Sequence, residues 1–162
     1  MPTKEQLHEL FQYIDGQFIW KKDNRARKVN GLVAGFNNNL NYRIVCINNK
    51  AYKLHRLIWI YHYGSLSDDV HIDHINGNPS DNRIENLRIC NSKQNQYNSK
   101  IRKDNKSGIK GVSWNKNLQK WHAQLVVNGK KKHFGFHDDL EFAELVISEA
   151  RNKFHGKFAN NG

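Results

Sequence analysis

Apolar residues in this chain fall in short runs whose spacing changes along its length, and the changes mark out its elements. "KEQLHELFQYI" reads as a short helix, and "GQFIWKK" after it alternates as a strand does. A polar stretch, "DNRARKVNGLVAGFNNN", carries Gly31 and Gly35 and reads as a loop with one short extended piece. In "YRIVCINNKAYKLHRLIWIYHYG" two strands flank Asn48 and Asn49, residues that tolerate the positive φ of a tight hairpin turn. The chain then turns helical over 54–63. Leu54, Leu57, Ile58 and Tyr61 are spaced for one buried face, and Gly64 stops the helix.

Next come "VHID" as a strand, "HINGNPSDNR" as a loop and "IENLRIC" as a second strand. "NSKQNQYNSK" follows as a short helix that either Asn91 or Ser92 can cap. A unit this small has little core of its own and must lean on the helix at 54–63. "SKIRKDNKSG" is polar and basic, as expected of a linker that tracks a phosphate backbone. Beyond it, "GIKGVSWNK", "KWHAQLVVNGKKKHFGFH" and "DDLEFAELVISEARNKFHG" predict a strand, a hairpin turning at Asn128-Gly129, and a helix. Asp138 or Asp139 caps that helix, and Leu140, Ala143, Ile147, Ala150 and Phe154 repeat along one side. The expected class is therefore α+β, with a domain over 1–98 that has a β-rich lead-in, a basic linker over 99–107, and a three-stranded sheet plus helix over 108–162.

Charge narrows the partner. Twenty-six Lys and Arg against fifteen Asp and Glu leave a formal +11 and a pI near 9.7. That excess suits a polyanion, because each neutralised phosphate releases condensed counterions; the plainer alternative is a solvated basic surface. No amphipathic basic helix points to a membrane surface, no run approaches the ~20 apolar residues of a membrane span, and "MPTKEQLHELF" lacks a signal peptide's apolar core. The expected location is the cytoplasm, that of a host cell if the gene is phage-borne. Cys46 and Cys90 lie in apolar runs without a nearby cysteine and read as buried thiols.

The stretch "HIDHINGNPSDNRIENLRIC" carries the candidate chemistry. Hydrolysing a phosphodiester needs a nucleophilic water, a group to take its proton, and positive charge on the leaving and non-bridging oxygens. Asp73 is an anionic oxygen donor for a hard cation, and His74 beside it is a base. Neighbours on a regular strand point to opposite faces, so serving one phosphate together requires the strand to break into a loop there. Asn86 can bond backbone on both sides of that loop, and Asn95 on the next helix can present an amide oxygen.

The segments "IDHINGN", "NRIENLR" and "SKQNQYN", with the lead-in "KAYKLHRLIW", resemble the HNH nuclease family in its phage-type and homing-endonuclease branch. The resemblance implies a ββα-metal nuclease domain. In it His74 is the general base, Asp73 a metal ligand, Asn86 the loop-bracing asparagine, and Asn95 the second ligand where the family ends on His. An amide oxygen there favours Mg²⁺ or Mn²⁺ over zinc. The implied products are 5′-phosphate and 3′-hydroxyl ends on double-stranded DNA, cut one strand per visit. A monomer without a protein partner would nick.

"GVSWNK", "KWHAQLVVNGKK", "HFGFHDDLEFA" and the closing "FHG" resemble the ethylene-response-factor type DNA-binding domain. There a three-stranded sheet enters the major groove with a helix behind it. On that plan Lys110, Trp114, Lys116, Trp121 and His133 stand on the exposed strand face and its edges and contact DNA. The family's strand arginines are missing between Arg102 and Arg151, which favours lysine–phosphate contact over base reading.

Several positions stay open. Arg83 and Arg88 either hold phosphates or are solvated, and His71 is either close to the metal ligands or a solvent-facing strand residue. His55 either packs at its helix start or lines the active cleft, and "NNNLN" reads as an ordinary loop. The competing functions are a non-catalytic, sequence-specific DNA-binding regulator with a degenerate nuclease fold, and a structural or RNA-binding protein in which the same segment merely folds a loop. That all four positions the reaction needs are filled argues against the regulator.

Overall fold

A computed structural model describes residues 1–23, 28–99, 101 and 104–160. Its contacts divide the chain into two units, Met1–Cys90 and Asn91–Gly162.

In the first unit, helix α1 (Lys4–Leu10) starts at Thr3, whose hydroxyl accepts the Gln6 N–H while the Gln6 side chain accepts the Thr3 N–H. The helix ends sooner than its apolar spacing suggests. Phe11 is already extended, and Phe11–Ile14 is strand β1, paired with β2 (Gln17–Trp20). The turn between them is Asp15-Gly16, with φ of 43° and 78°. An Asp-Gly pair is a strong hairpin signal, and it overrides the helical periodicity because pairing stacks Phe11 on Phe18 at 4.8 Å inside the core.

Strands β3 (Phe36–Asn37), β4 (Arg43–Ile47) and β5 (Lys50–Lys53) form an antiparallel sheet in that order. Asn48 and Asn49 turn β4 into β5 with φ of 49° and 61°. On β4, Val45 and Ile47 face the core, so the period of two sends Cys46 the other way. Cys46 is exposed, contrary to expectation, while Cys90 is buried. Helix α2 (Leu54–Tyr63) buries Leu54, His55, Leu57, Ile58 and Ile60 and stops at Gly64. Strands β6 (His71–His74) and β7 (Leu87–Cys90) pair antiparallel, and Ile72 and Leu87 reach the same apolar cluster as α2. Arg56 of α2 fastens the approach to β6 by donating to the Val70 carbonyl at 2.7 Å.

The second unit opens with α3 (Ser92–Tyr97), capped by Asn91 in a reciprocal pair with Gln94. The division after Cys90 falls ahead of the boundary expected at 98. The Tyr97 ring stacks on His155 at 3.7 Å, and the Asn160 side chain donates to Asn98, which ties α3 to the end of the chain. Strands β8 (Val112–Asn115), β9 (Lys120–Val127) and β10 (Lys130–His137) form a sheet in the order β10-β9-β8, and Asn128-Gly129 makes the turn between the last two. Helix α4 (Leu140–His155), capped by Asp139, lays Ala143, Ile147 and Ala150 against Val112, Ala123 and Leu125. Part of the expected linker is folded: Asn105 Oδ1 accepts the N–H groups of Ser107 and Gly108, and the Ser107 hydroxyl bonds the Val112 carbonyl. Lys100, Arg102 and Lys103 lie outside the described residues. No helix among the described residues is long and apolar enough to cross a membrane.

Candidate active site

Asp73 and His74 are consecutive rungs of one ladder, opposite Arg88 and Leu87. The expected break between them does not occur. Pairing continues through His74, and only then does the chain turn, with the Gly77 N–H donating to the His74 carbonyl at 2.9 Å. Leu87 in the core and Arg88 on Asp73 hold both rungs in register, and where the ladder ends the Asp73 charge still acts on the His74 ring. Both are buried, at 5 % exposure each.

The loop after His74 is braced by its own asparagines. Asn86 sits in a 3-10 turn (Ile84–Asn86) at the start of β7. Its carboxamide oxygen accepts the Asn76 N–H at 3.0 Å, and its NH₂ donates to the Asp81 carbonyl at 2.8 Å, so one side chain spans the loop. Asn82 faces the histidine: its NH₂ donates to the Ser80 carbonyl, which orients Oδ1 toward His74 Nε2 at 3.1 Å. An amide oxygen only accepts, so Nε2 carries the proton and the lone pair of the neutral ring is on Nδ1.

Aromatic groups enclose the other sides of this ring. His55 meets it edge-on with centroids 5.0 Å apart, and the Tyr42 ring lies 6.1 Å away. Burial pushes the His74 imidazolium below its ordinary range, against the opposing pull of the Asn82 bond and the Asp73 charge. His55 is pushed down to about 3, by burial first and then by the charges of His74, Lys53 and Arg56. Both rings are therefore neutral at neutral pH, which is the state a general base needs.

Asp73 is engaged by Arg88, whose Nε and Nη2 donate to Oδ2 at 2.8 and 2.6 Å. Arg83 pairs with Asp81 at 2.8 Å and holds that carboxyl down to about 2. Each arginine thus has a carboxylate partner, in place of the open choice between phosphate and solvent. His71 is exposed at the start of β6. Asn95 is exposed on α3. The 37–41 segment is more ordered in its bonding than an ordinary loop: Asn38 Oδ1 accepts the Leu40 and Tyr42 N–H groups, and the Asn41 carbonyl accepts the Ser80 hydroxyl.

The expected DNA contacts of the second unit fall in different places. His133 lies on the open sheet face, stacked on His122 with Nε2 of His122 and Nδ1 of His133 2.9 Å apart. Lys116 is exposed in the β8–β9 turn. Trp114 and Trp121 are ladder partners two residues on from the Val112–Ala123 pair; Trp121 packs on the core, while Trp114 stays 45 % exposed. Lys110 precedes β8, and its ammonium is drawn inward to the carbonyls of Tyr97 and Ser99, with burial lowering its pKa to about 8. What sequence reasoning missed is the enclosure of His74. Asn82 sits unremarked among turn residues, and Tyr42 is brought in by a strand far from it in sequence.

As a cation site, Asp73 offers the hard carboxylate oxygen that Mg²⁺ or Mn²⁺ prefers, already charge-compensated by Arg88. Among the described residues no group of three or more His, Cys, Asp and Glu could hold a metal ion. So sparse a donor set fits a cation that keeps water and phosphate as most of its ligands, and it does not fit a structural zinc.

Residues 52–97 match the HNH endonuclease family. The chain is 36% identical over 110 residues to Protein 3.8 of Escherichia phage T7, covering 68% of this chain and 90% of that protein. It is 35% identical over 108 residues to an Acanthamoeba polyphaga mimivirus protein named as an uncharacterized HNH endonuclease, covering 66% of this chain and 55% of that one. No solved structure matches the chain significantly.

Proposed function

We propose that this chain, which belongs to the HNH endonuclease family through residues 52–97, is a metal-dependent DNA endonuclease that cuts one strand per visit. The observation that carries this reading is the environment of His74. It is a buried imidazole kept neutral, its tautomer set by Asn82, at the mouth of a loop spanned by Asn86, one rung from the Asp73 carboxylate.

In the proposed reaction His74 takes a proton from the attacking water through Nδ1, while Nε2 stays bonded to Asn82. Asn82 thus fixes both the tautomer and the ring plane. Asn86 keeps the loop from collapsing onto the base. A bound Mg²⁺ or Mn²⁺, held by Asp73, would supply the positive charge that the leaving and non-bridging oxygens need. The second oxygen donor, Asn95, is assigned by the family resemblance alone. The products are 5′-phosphate and 3′-hydroxyl ends.

DNA is held in part by the second unit. The open face of its sheet presents Lys131, His133, Gln124 and His122, a polar and basic surface suited to phosphates and base edges. This face joins Lys116 and the exposed Trp114 as the proposed contact, in place of Lys110 and Trp121, consistent with the ethylene-response-factor resemblance.

The test is nicking of supercoiled plasmid with Mg²⁺ or Mn²⁺ by the wild type and by His74→Ala. Relaxed circles from the wild type alone are expected. Equal nicking by both would reject His74 as the base, and the regulator alternative would gain if binding were retained with no cleavage by either.

A further inference from the structure

A base and one carboxylate leave the scissile phosphate itself without a protein cradle, because the two arginines near the site are paired with Asp73 and Asp81. Lys53 is in a different position. It ends β5 and leads into α2, it is exposed, and its ammonium lies 4.8 Å above the Tyr42 ring. Tyr42 in turn lies 5.6 Å from His55 and 6.1 Å from His74.

The start of α2 points the same way. No side chain caps its first turn, so the amides of Leu54, His55 and Arg56 present the positive end of the helix dipole. Inside that turn stands His55, only 6 % exposed, edge-on to His74, and among the described residues no hydrogen-bond partner is found for its ring. Its ring nitrogens are not among the fully buried polar atoms that lack a partner, so its N–H is open to an arriving anionic oxygen.

We propose that Lys53, the uncapped first turn of α2 and the His55 ring form a phosphate clamp that seats the target strand's backbone beside His74. Tyr42 acts as a positioning residue, holding the Lys53 ammonium over the site until DNA takes its place. The clamp rests on the nuclease reading above. It adds which groups hold the substrate's anionic oxygens, a task neither His74 nor Asp73 performs.

The experiment uses the full chain and a short DNA duplex. Binding is measured in EDTA across a salt series, and nicking of plasmid is measured separately with Mg²⁺. Lys53→Met is expected to shallow the slope of log affinity against log salt by about one, the mark of one lost phosphate contact, while Lys53→Arg keeps the wild-type slope. His55→Phe, chosen to keep the packing volume and checked by a thermal melt, is expected to lower nicking about a hundredfold, as loss of a preorganised donor does. Wild-type slope in Lys53→Met, or wild-type nicking by folded His55→Phe, would overturn the clamp. His74→Ala separates the two readings: it should bind with the wild-type slope and not nick. If His74→Ala nicks normally the base assignment fails, whereas the clamp is judged on the Lys53 slope.

Discussion

Arg88 and Asp73 face each other across the β6–β7 ladder, and the guanidinium donates to one carboxylate oxygen through both Nε and Nη2. Their side chains are 14 % and 6 % exposed. A buried anion stripped of its partner is strongly destabilising, by about 3–5 kcal/mol. Arg88→Met should therefore lower the melting temperature. If Asp73 also holds the catalytic cation, Mg²⁺ or Mn²⁺ should restore more stability to Arg88→Met than it adds to the wild type, because ion and guanidinium compensate the same charge. Identical metal-induced shifts in the two proteins would separate Asp73 from the cation.

Asn82 should matter to rate more than to stability. Asn82→Ala removes two hydrogen bonds, to His74 and to the Ser80 carbonyl, each worth about 1 kcal/mol of folding free energy, and frees the His74 tautomer. Nicking should fall on the order of a hundredfold, within the range ascribed to general acid–base catalysis. Full activity in Asn82→Ala would mean that the ring is oriented by its aromatic neighbours alone.

His55 makes the first unit sensitive to acid. Its pKa is about 3 in the fold against 6.5 for an unperturbed histidine, so between those values the unfolded chain binds the extra proton and the folded one does not. The stability present above pH 6.5 should drain away as pH falls from there toward 3. Thermal melts over that range should show the loss, and His55→Phe should flatten it. An equally steep loss in His55→Phe would assign the acid sensitivity to other groups.

Gly16 couples the first hairpin to the catalytic loop. It adopts φ +78°, and a Cβ there would come within 2.7 Å of the Arg83 backbone nitrogen and 2.9 Å of the Asn82 carbonyl carbon. Gly16→Ala should cost about 1–3 kcal/mol and, by pushing on Asn82, slow nicking beyond what the stability loss explains. An Ala variant that melts lower yet nicks at the wild-type rate would confine the contact to a structural role.

On the second unit, Lys131→Ala and Trp114→Ala should behave differently. Lys131 is exposed on the open sheet face, so its loss should weaken DNA binding and reduce the salt slope by about one without moving the melt. Trp114 is cross-strand to Trp121 in a T-shaped pair at 4.9 Å, worth about 0.5–1.5 kcal/mol, and its loss should lower the melt with the slope unchanged. The opposite pattern would move the contact from Lys131 to Trp114.

The sequence by itself determined the elements whose cause is local. The Asn48-Asn49 and Asn128-Gly129 turns adopt positive φ, Gly64 stops α2 and Asp139 caps α4, because backbone sterics and one-turn hydrogen bonds act within a few residues. The stretch from Asp73 to Asn86 was legible for the same reason, its turn residues and its asparagine brace lying close together in the chain. Only the tertiary structure decided what is long-range. Phe11 leaves the helical pattern to stack on Phe18, Arg88 closes on Asp73, and Tyr42 and His55 come from separate elements to enclose His74. It also decided that Trp121 packs on the core while Lys110 turns inward. These choices follow from ladder register and from which side chains the core must cover. Neither is written in the spacing of neighbouring residues.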